Sequence, residues 1–237
     1  MQPMKQLIAM GGGGFSMEPD NLLLDRYVLQ QAGKDKPKVC FVPTASGDSP
    51  DYTARFYKSM GELNCEPSHL HVYRPPSADL EAYVLDKDII YVGGGSTRNL
   101  IVLWREWGLD RIFKKAWEEG KILTGLSAGM ICWFEHGITD SNYGKLSPLP
   151  CLGFLPGSAS PHYDGEAERR PSYQRMILTG ELQDGLAADD GAAFHFIGTK
   201  LHRVVSSRPK AKGYRVQKIG GAIQETMLDT QYLGHGF

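Results

Sequence analysis

Ser127 stands in the segment GLSAG (125–129), a G-x-S-x-G pattern preceded by the β-type run KILTGL (121–126) and followed by a helical run. In a strand–turn–helix setting this is the pattern of a nucleophile elbow. The serine occupies a tight turn, small flanking residues avoid neighbouring backbone, and the hydroxyl projects above the sheet. The N–H of Ala128 then opens a helix, where it can stabilise an oxyanion. The competing reading is a serine that merely caps the following helix.

A second glycine-rich turn, YVGGGSTRNL (91–100), also follows an apolar run. Ligand sites of open α/β sheets gather at the carboxyl ends of strands. Gly94 or Gly95 is therefore a candidate second oxyanion donor, with Ser96 beside it. A flexible turn or a phosphate loop is the alternative. Neither this turn nor MGGGGFSMEPD (10–20) completes G-x-G-x-x-G, and no G-x-x-x-x-G-K-[ST] occurs. No nucleotide, other cofactor or metal is expected.

A serine nucleophile requires a base. Of seven histidines, His69 and His71 alternate in a strand-like run, and His195 and His202 sit in late strand-like runs. His136 falls at the far end of the serine's own helix. His162, in SASPHYDGE, lies in an irregular polar segment of the kind that carries function on a rigid sheet. The orienting acid is Asp164, Asp189 or Asp190, with Glu166 and Glu168 less well placed.

The elements that must position these groups alternate in type. Apolar runs at 5–10, 38–46, 88–95 and 121–126, with an alternating run at 68–74, read as strands. Between them lie helical stretches at 17–33, 52–63 and 96–119, the last interrupted at Gly108. This order implies parallel pairing through right-handed crossovers: a single α/β domain over 1–237, with a doubly wound, mostly parallel sheet and helices on both faces. The second half differs. Residues 137–161 read as loop or irregular hairpin, 172–182 as helix, and 192–198, 200–207 and 213–219 as strands, pointing to antiparallel pairing near the C-terminus. The segment 137–171 is the expected wall of the catalytic mouth.

The 237 residues allow a sizeable core. With 26 Lys and Arg against 27 Asp and Glu, the net charge of −1 argues against nucleic-acid or membrane-surface binding. No apolar run suggests a membrane span, and the run before the first glycines is too short for a signal-peptide core. Cys40, Cys65, Cys132 and Cys151 form no CxxC pair and read as reduced thiols, so a cytoplasmic location is expected.

VGGGSTRNL, GLSAGMICWF, SPHYDG and LAADDGAAF, in this order, together with a terminal GHGF, resemble the peptidase E and cyanophycinase family of serine peptidases. The likeness covers roughly residues 35 to 237. It implies a class I glutamine amidotransferase-like fold and cleavage of peptide bonds in short peptides. By this resemblance Ser127 is the nucleophile, His162 the base and Asp190 the acid, with Asp189 the alternative. The order serine, histidine, acid also differs from that of α/β-hydrolases. Peptidase E prefers an N-terminal aspartate, which implies an arginine for the substrate carboxylate. That position aligns nearest Ser172, with Arg169, Arg170 or Arg175 as substitutes, and the asparagine usual in the glycine loop is Ser96 here.

The expected activity is therefore a serine-type dipeptidase with weak or altered acidic preference, and a homodimer is compatible with it. Two other readings compete. One is an esterase using His235 with Asp229 or Asp190; the other is a degenerate relative that only binds a ligand at the glycine loops.

Overall fold

The computed structural model describes residues 4–235. The first half supplies β1 (Gln6–Met10), α1 (Gly14–Met17), α2 (Leu23–Gln31), β2 (Lys38–Val42), α3 (Pro50–Met60), β3 (Glu66–His69), α4 (Leu80–Leu85), β4 (Ile89–Val92), α5 (Thr97–Trp107), α6 (Leu109–Glu118) and β5 (Ile122–Leu126). The second half supplies α7 (Ala128–Ile131), β6 (Phe134–Asn142), β7 (Lys145–Pro150), β8 (Leu155–Ser160), α8 (Arg169–Thr179), β9 (Gly185–Ala188), β10 (Ala192–Ile197), β11 (Lys200–Ser206), β12 (Gly213–Ile219), β13 (Ala222–Met227) and β14 (Thr230–Tyr232).

An eight-stranded sheet runs β14-β11-β10-β1-β5-β4-β2-β3. Its centre is parallel from β1 to β3, and β10 joins β1 antiparallel. The central strands are apolar at nearly every position because both faces are covered. Leu7, Ala9, Cys40, Val42, Ile90 and Val92 pack with Trp104, Phe113 and Trp117 of α5 and α6. The alternate residues Ile8, Met10, Val39, Phe41, Ile89 and Tyr91 pack with Tyr27 of α2 and Phe56 of α3. This is the doubly wound α/β architecture the alternation implies.

A second sheet of six strands, β13-β12-β9-β8-β6-β7, was not foreseen. It replaces the loop expected over 137–161, which carries most of β6, all of β7 and β8. One face, through Ile138, Ala187 and Val216, packs on Tyr173, Met176 and Ile177 of α8. Phe134, Leu155, Ala159 and Ala188 join the core of the first sheet, so a single apolar cluster spans both sheets.

Other boundaries differ from expectation. The helix expected over 17–33 is shortened to α2, with α1 ending at Met17, the strand expected over 68–74 ends at His69, and the helix expected over 172–182 begins at Arg169. All four cysteines are free and buried. Among the described residues no helix is long and apolar enough to cross a membrane. The last two residues of the terminal GHGF lie outside the described residues.

Candidate active site

β5 delivers Ser127 and α7 begins immediately after it. Ser127 has φ 55° and ψ −110°, a conformation that costs a non-glycine residue about 1–3 kcal/mol and persists only where its surroundings impose it. Gly125 and Gly129 show how they do so. A Cβ on either would collide with the carbonyl oxygen of Val92, so the elbow can pack this closely on β4 only with glycine there. The Ser127 side chain makes no capping hydrogen bond to α7, contrary to the helix-cap reading. The N–H of Ala128 enters the helix without a protein acceptor among the described residues.

The end of β1 then organises the neighbours. Three successive carbonyls accept from three segments: Met10 from the N–H of Ser127 (3.2 Å), Gly11 from His162 (3.1 Å) and Gly12 from Gly191 (3.1 Å). The serine, the histidine and the residue after Asp190 are thus all tied to Met10, the last residue of β1, and the two glycines that follow it. His162, like Ser127, has a left-handed backbone (φ 51°) and follows β8 and Pro161.

His162 Nδ1 lies 2.6 Å from Asp190 Oδ1, with both side chains largely buried. With Nδ1–H donating to the carboxylate, Nε2 is left as the basic nitrogen. No hydrogen bond joins Nε2 to the Ser127 hydroxyl among the described residues. Asp164 Oδ1 accepts from the N–H of Asp190 (2.8 Å) and fixes the acid's backbone. Cβ atoms at Gly12 or Gly165 would strike the Asp190 carboxylate, so glycines wall it on both sides.

Asp189, in the turn between β9 and β10, points to β12 instead. Its Oδ2 accepts from the N–H of Lys212 (2.9 Å) and from Tyr214 (3.4 Å), and its Oδ1 has no partner. Burial pushes its carboxyl up to about 6. The structure brings Asp190, not Asp189, to His162.

In the glycine loop the donors are unequally committed. Gly93 N–H donates to Val42 O (3.1 Å), Gly94 to the Tyr52 hydroxyl (3.2 Å) and Ser96 to Ala45 O (2.7 Å). The N–H of Gly95 has no acceptor among the described residues. The Ser96 hydroxyl caps α5 by accepting from Asn99 (3.3 Å). Gly94 abuts the elbow: a Cβ there would stand 3.4 Å from Ser127 Cβ.

The arginines foreseen for substrate are engaged elsewhere. Arg169 is 3% exposed, donating to Glu166 and to the Ile138 carbonyl (3.1 Å). Arg170 pairs with Glu225 and lies over the rings of Tyr163 and Tyr214. Arg175 pairs with Glu181, and Ser172 lies on α8. His195 is buried between Tyr27 and Gln6, and His235 stands exposed against Tyr232. Sequence reasoning missed Asp164 as a backbone clamp, Tyr52, and the β1 carbonyls. The only hint of the last was MGGGG at a strand end, read for nucleotide binding alone. Among the described residues no group of three or more His, Cys, Asp or Glu is gathered for a metal.

The family model described as Peptidase family S51 matches residues 7–204. The chain is 58% identical over 231 residues to a Bacillus subtilis (strain 168) protein named "Uncharacterized peptidase YgaJ", covering 98% of this chain and all of that one. It is 28% identical to "Peptidase E" of Streptomyces coelicolor over 128 residues, covering 53% of this chain and 51% of that one. In fold it is similar to the crystal structure of a peptidase from an acI-B1 Actinobacterium, with TM-score 0.70, 19% identity and 95% of each chain covered.

Proposed function

The chain belongs to peptidase family S51, and on that premise we propose that it is a serine-type peptidase that hydrolyses short peptides through an acyl-enzyme. The observation that carries this reading is the shared anchoring of Ser127, His162 and the Asp190 turn on the carbonyls of residues 10–12. The Ser127 Oγ attacks the scissile carbonyl while His162 Nε2 takes its proton, and Asp190 holds the resulting imidazolium. The N–H groups of Gly95 and Ala128 receive the oxyanion. His162 returns the proton to the leaving amine, and a water repeats the sequence to release the acid.

Neither Arg169 nor Arg170 has a guanidinium available for a substrate carboxylate, so a strong preference for N-terminal aspartate has no support here. Turnover of a dipeptide library by wild type and Ser127→Ala tests the reading. Cleavage should vanish in the variant, and Asp-Leu should be cleaved no faster than about tenfold over Ala-Leu, below the gain a desolvated charged contact can give. Full activity in Ser127→Ala would refute it.

A further inference from the structure

We propose that Tyr52 is a positioning residue of the oxyanion site, holding the glycine loop so that the Gly95 N–H is presented to the reacting carbonyl. The proposal rests on the serine-nucleophile reading above. The peptide unit between Gly94 and Gly95 carries that N–H, and each unit is planar, so its orientation is set by the torsions at the two glycines. Glycine torsions are the freest in the chain. Here the units on either side are pinned. The one before is held by Gly94 N–H to the Tyr52 hydroxyl (3.2 Å), the one after by Ser96 N–H to Ala45 O (2.7 Å). Gly95 sits at φ 133°, and a Cβ there would collide with the Ala45 carbonyl.

Of the three acceptors that pin this loop, only the Tyr52 hydroxyl belongs to a side chain. Tyr52 is 5% exposed on α3, with its ring 5.0 Å from Phe41 and 5.7 Å from Phe15. These two phenylalanines flank the ring and the Arg55 guanidinium lies over it at 5.0 Å, and a buried hydroxyl there is costly unless bonded. Burial holds the phenol above its ordinary value against the lowering effects of Ser16 and the Gly94 N–H, so it stays neutral and accepts from Gly94. Removing that oxygen leaves ring packing intact and frees the Gly94–Gly95 unit to rotate.

The test compares Tyr52→Phe with Tyr57→Phe, a control on the same helix whose hydroxyl meets His69 instead. Two readouts are used: steady-state cleavage of a dipeptide that wild type hydrolyses, and the rate of Ser127 phosphonylation by a fluorophosphonate. In the latter the Oγ–P bond forms, the P–F bond breaks and fluoride leaves, with the serine proton passing to His162. Tyr52→Phe should lower kcat and the phosphonylation rate together by about ten- to a hundredfold, less than outright loss of an oxyanion donor. KM should stay within about twofold, Tm should change little, and Tyr57→Phe should match wild type. Unchanged kcat and phosphonylation in Tyr52→Phe would overturn the role of Tyr52 alone. So would a loss that tracks KM and Tm. Wild type that cleaves peptides yet is never phosphonylated at Ser127 would overturn the serine reading, and this proposal with it.

Discussion

His162 Nδ1 and Asp190 Oδ1 meet at 2.6 Å, while the backbone N–H of the same aspartate is held at 2.8 Å by Asp164, two residues beyond the histidine. The acid is therefore gripped at side chain and main chain by one short turn. Asp190→Asn keeps the shape but favours the wrong imidazole tautomer. It should lower kcat by about 10²–10⁴-fold with the fold intact, measured by steady-state hydrolysis and circular dichroism.

Asp164→Ala removes the acceptor from a buried N–H, whereas Asp164→Asn retains a carbonyl oxygen. The alanine variant should lose about 1–3 kcal/mol in urea unfolding together with much of its activity. The asparagine variant should retain most of both. Equal behaviour of the two would show that the Asp190 N–H does not need this partner.

Gly12 tests the wall around the acid. In Gly12→Ala the added methyl collides with the Asp190 carboxylate, so kcat should fall at least about tenfold if the displacement costs the transition state 1.4 kcal/mol or more. Wild-type kinetics in this variant would contradict the placement of residue 12.

Arg169 should matter for stability rather than specificity. Arg169→Met strands the Ile138 carbonyl and should lower stability by about 1–3 kcal/mol. The ratio of Asp-Leu to Ala-Leu cleavage should not change.

Two buried groups give opposite pH slopes. Burial, assisted by His202 and Arg203, holds His195 at about 4. It folds neutral but takes a proton in the unfolded chain below about 6.5, so its stabilising effect is present above that pH and lost as pH falls through 4. Burial raises Asp25 to about 6 against the lowering effect of Tyr91. Its contribution is present below the ordinary carboxylate value and lost as pH rises through 6. Asp25→Asn should therefore gain about 1–3 kcal/mol over wild type at pH 7.5 and little at pH 3.5, and His195→Asn should flatten the loss below pH 6.5. Chemical denaturation across this range reads both.

The parallel sheet was legible because β1, β2, β4 and β5 are buried on both faces and so read as unbroken apolar runs. The elbow was legible for a related reason: close packing on Val92 demands glycine at 125 and 129, and that demand is written in the residue types. The second sheet was hidden. β8 is LPGSAS, with a proline, a glycine and three small residues, and it is a strand because β6 and β9 pair with it, not through its own propensity. The arginines misled for a similar reason. Whether Arg169 meets substrate or the Ile138 carbonyl depends on β6, whose residues from 137 on read as loop in the sequence. Asp189 and Asp190 are separable only through the turn between β9 and β10, which sends one carboxylate to Lys212 and the other to His162.

The most direct measurement is the mass-spectrometric location of a fluorophosphonate adduct on the wild-type protein and on Ser127→Ala, His162→Ala and His235→Ala. A single adduct on Ser127 is expected, absent in Ser127→Ala, formed far more slowly in His162→Ala, and unaffected in His235→Ala. Hydrolytic activity that persists with Ser127 unlabelled, or labelling that depends on His235 and not on His162, would contradict the account.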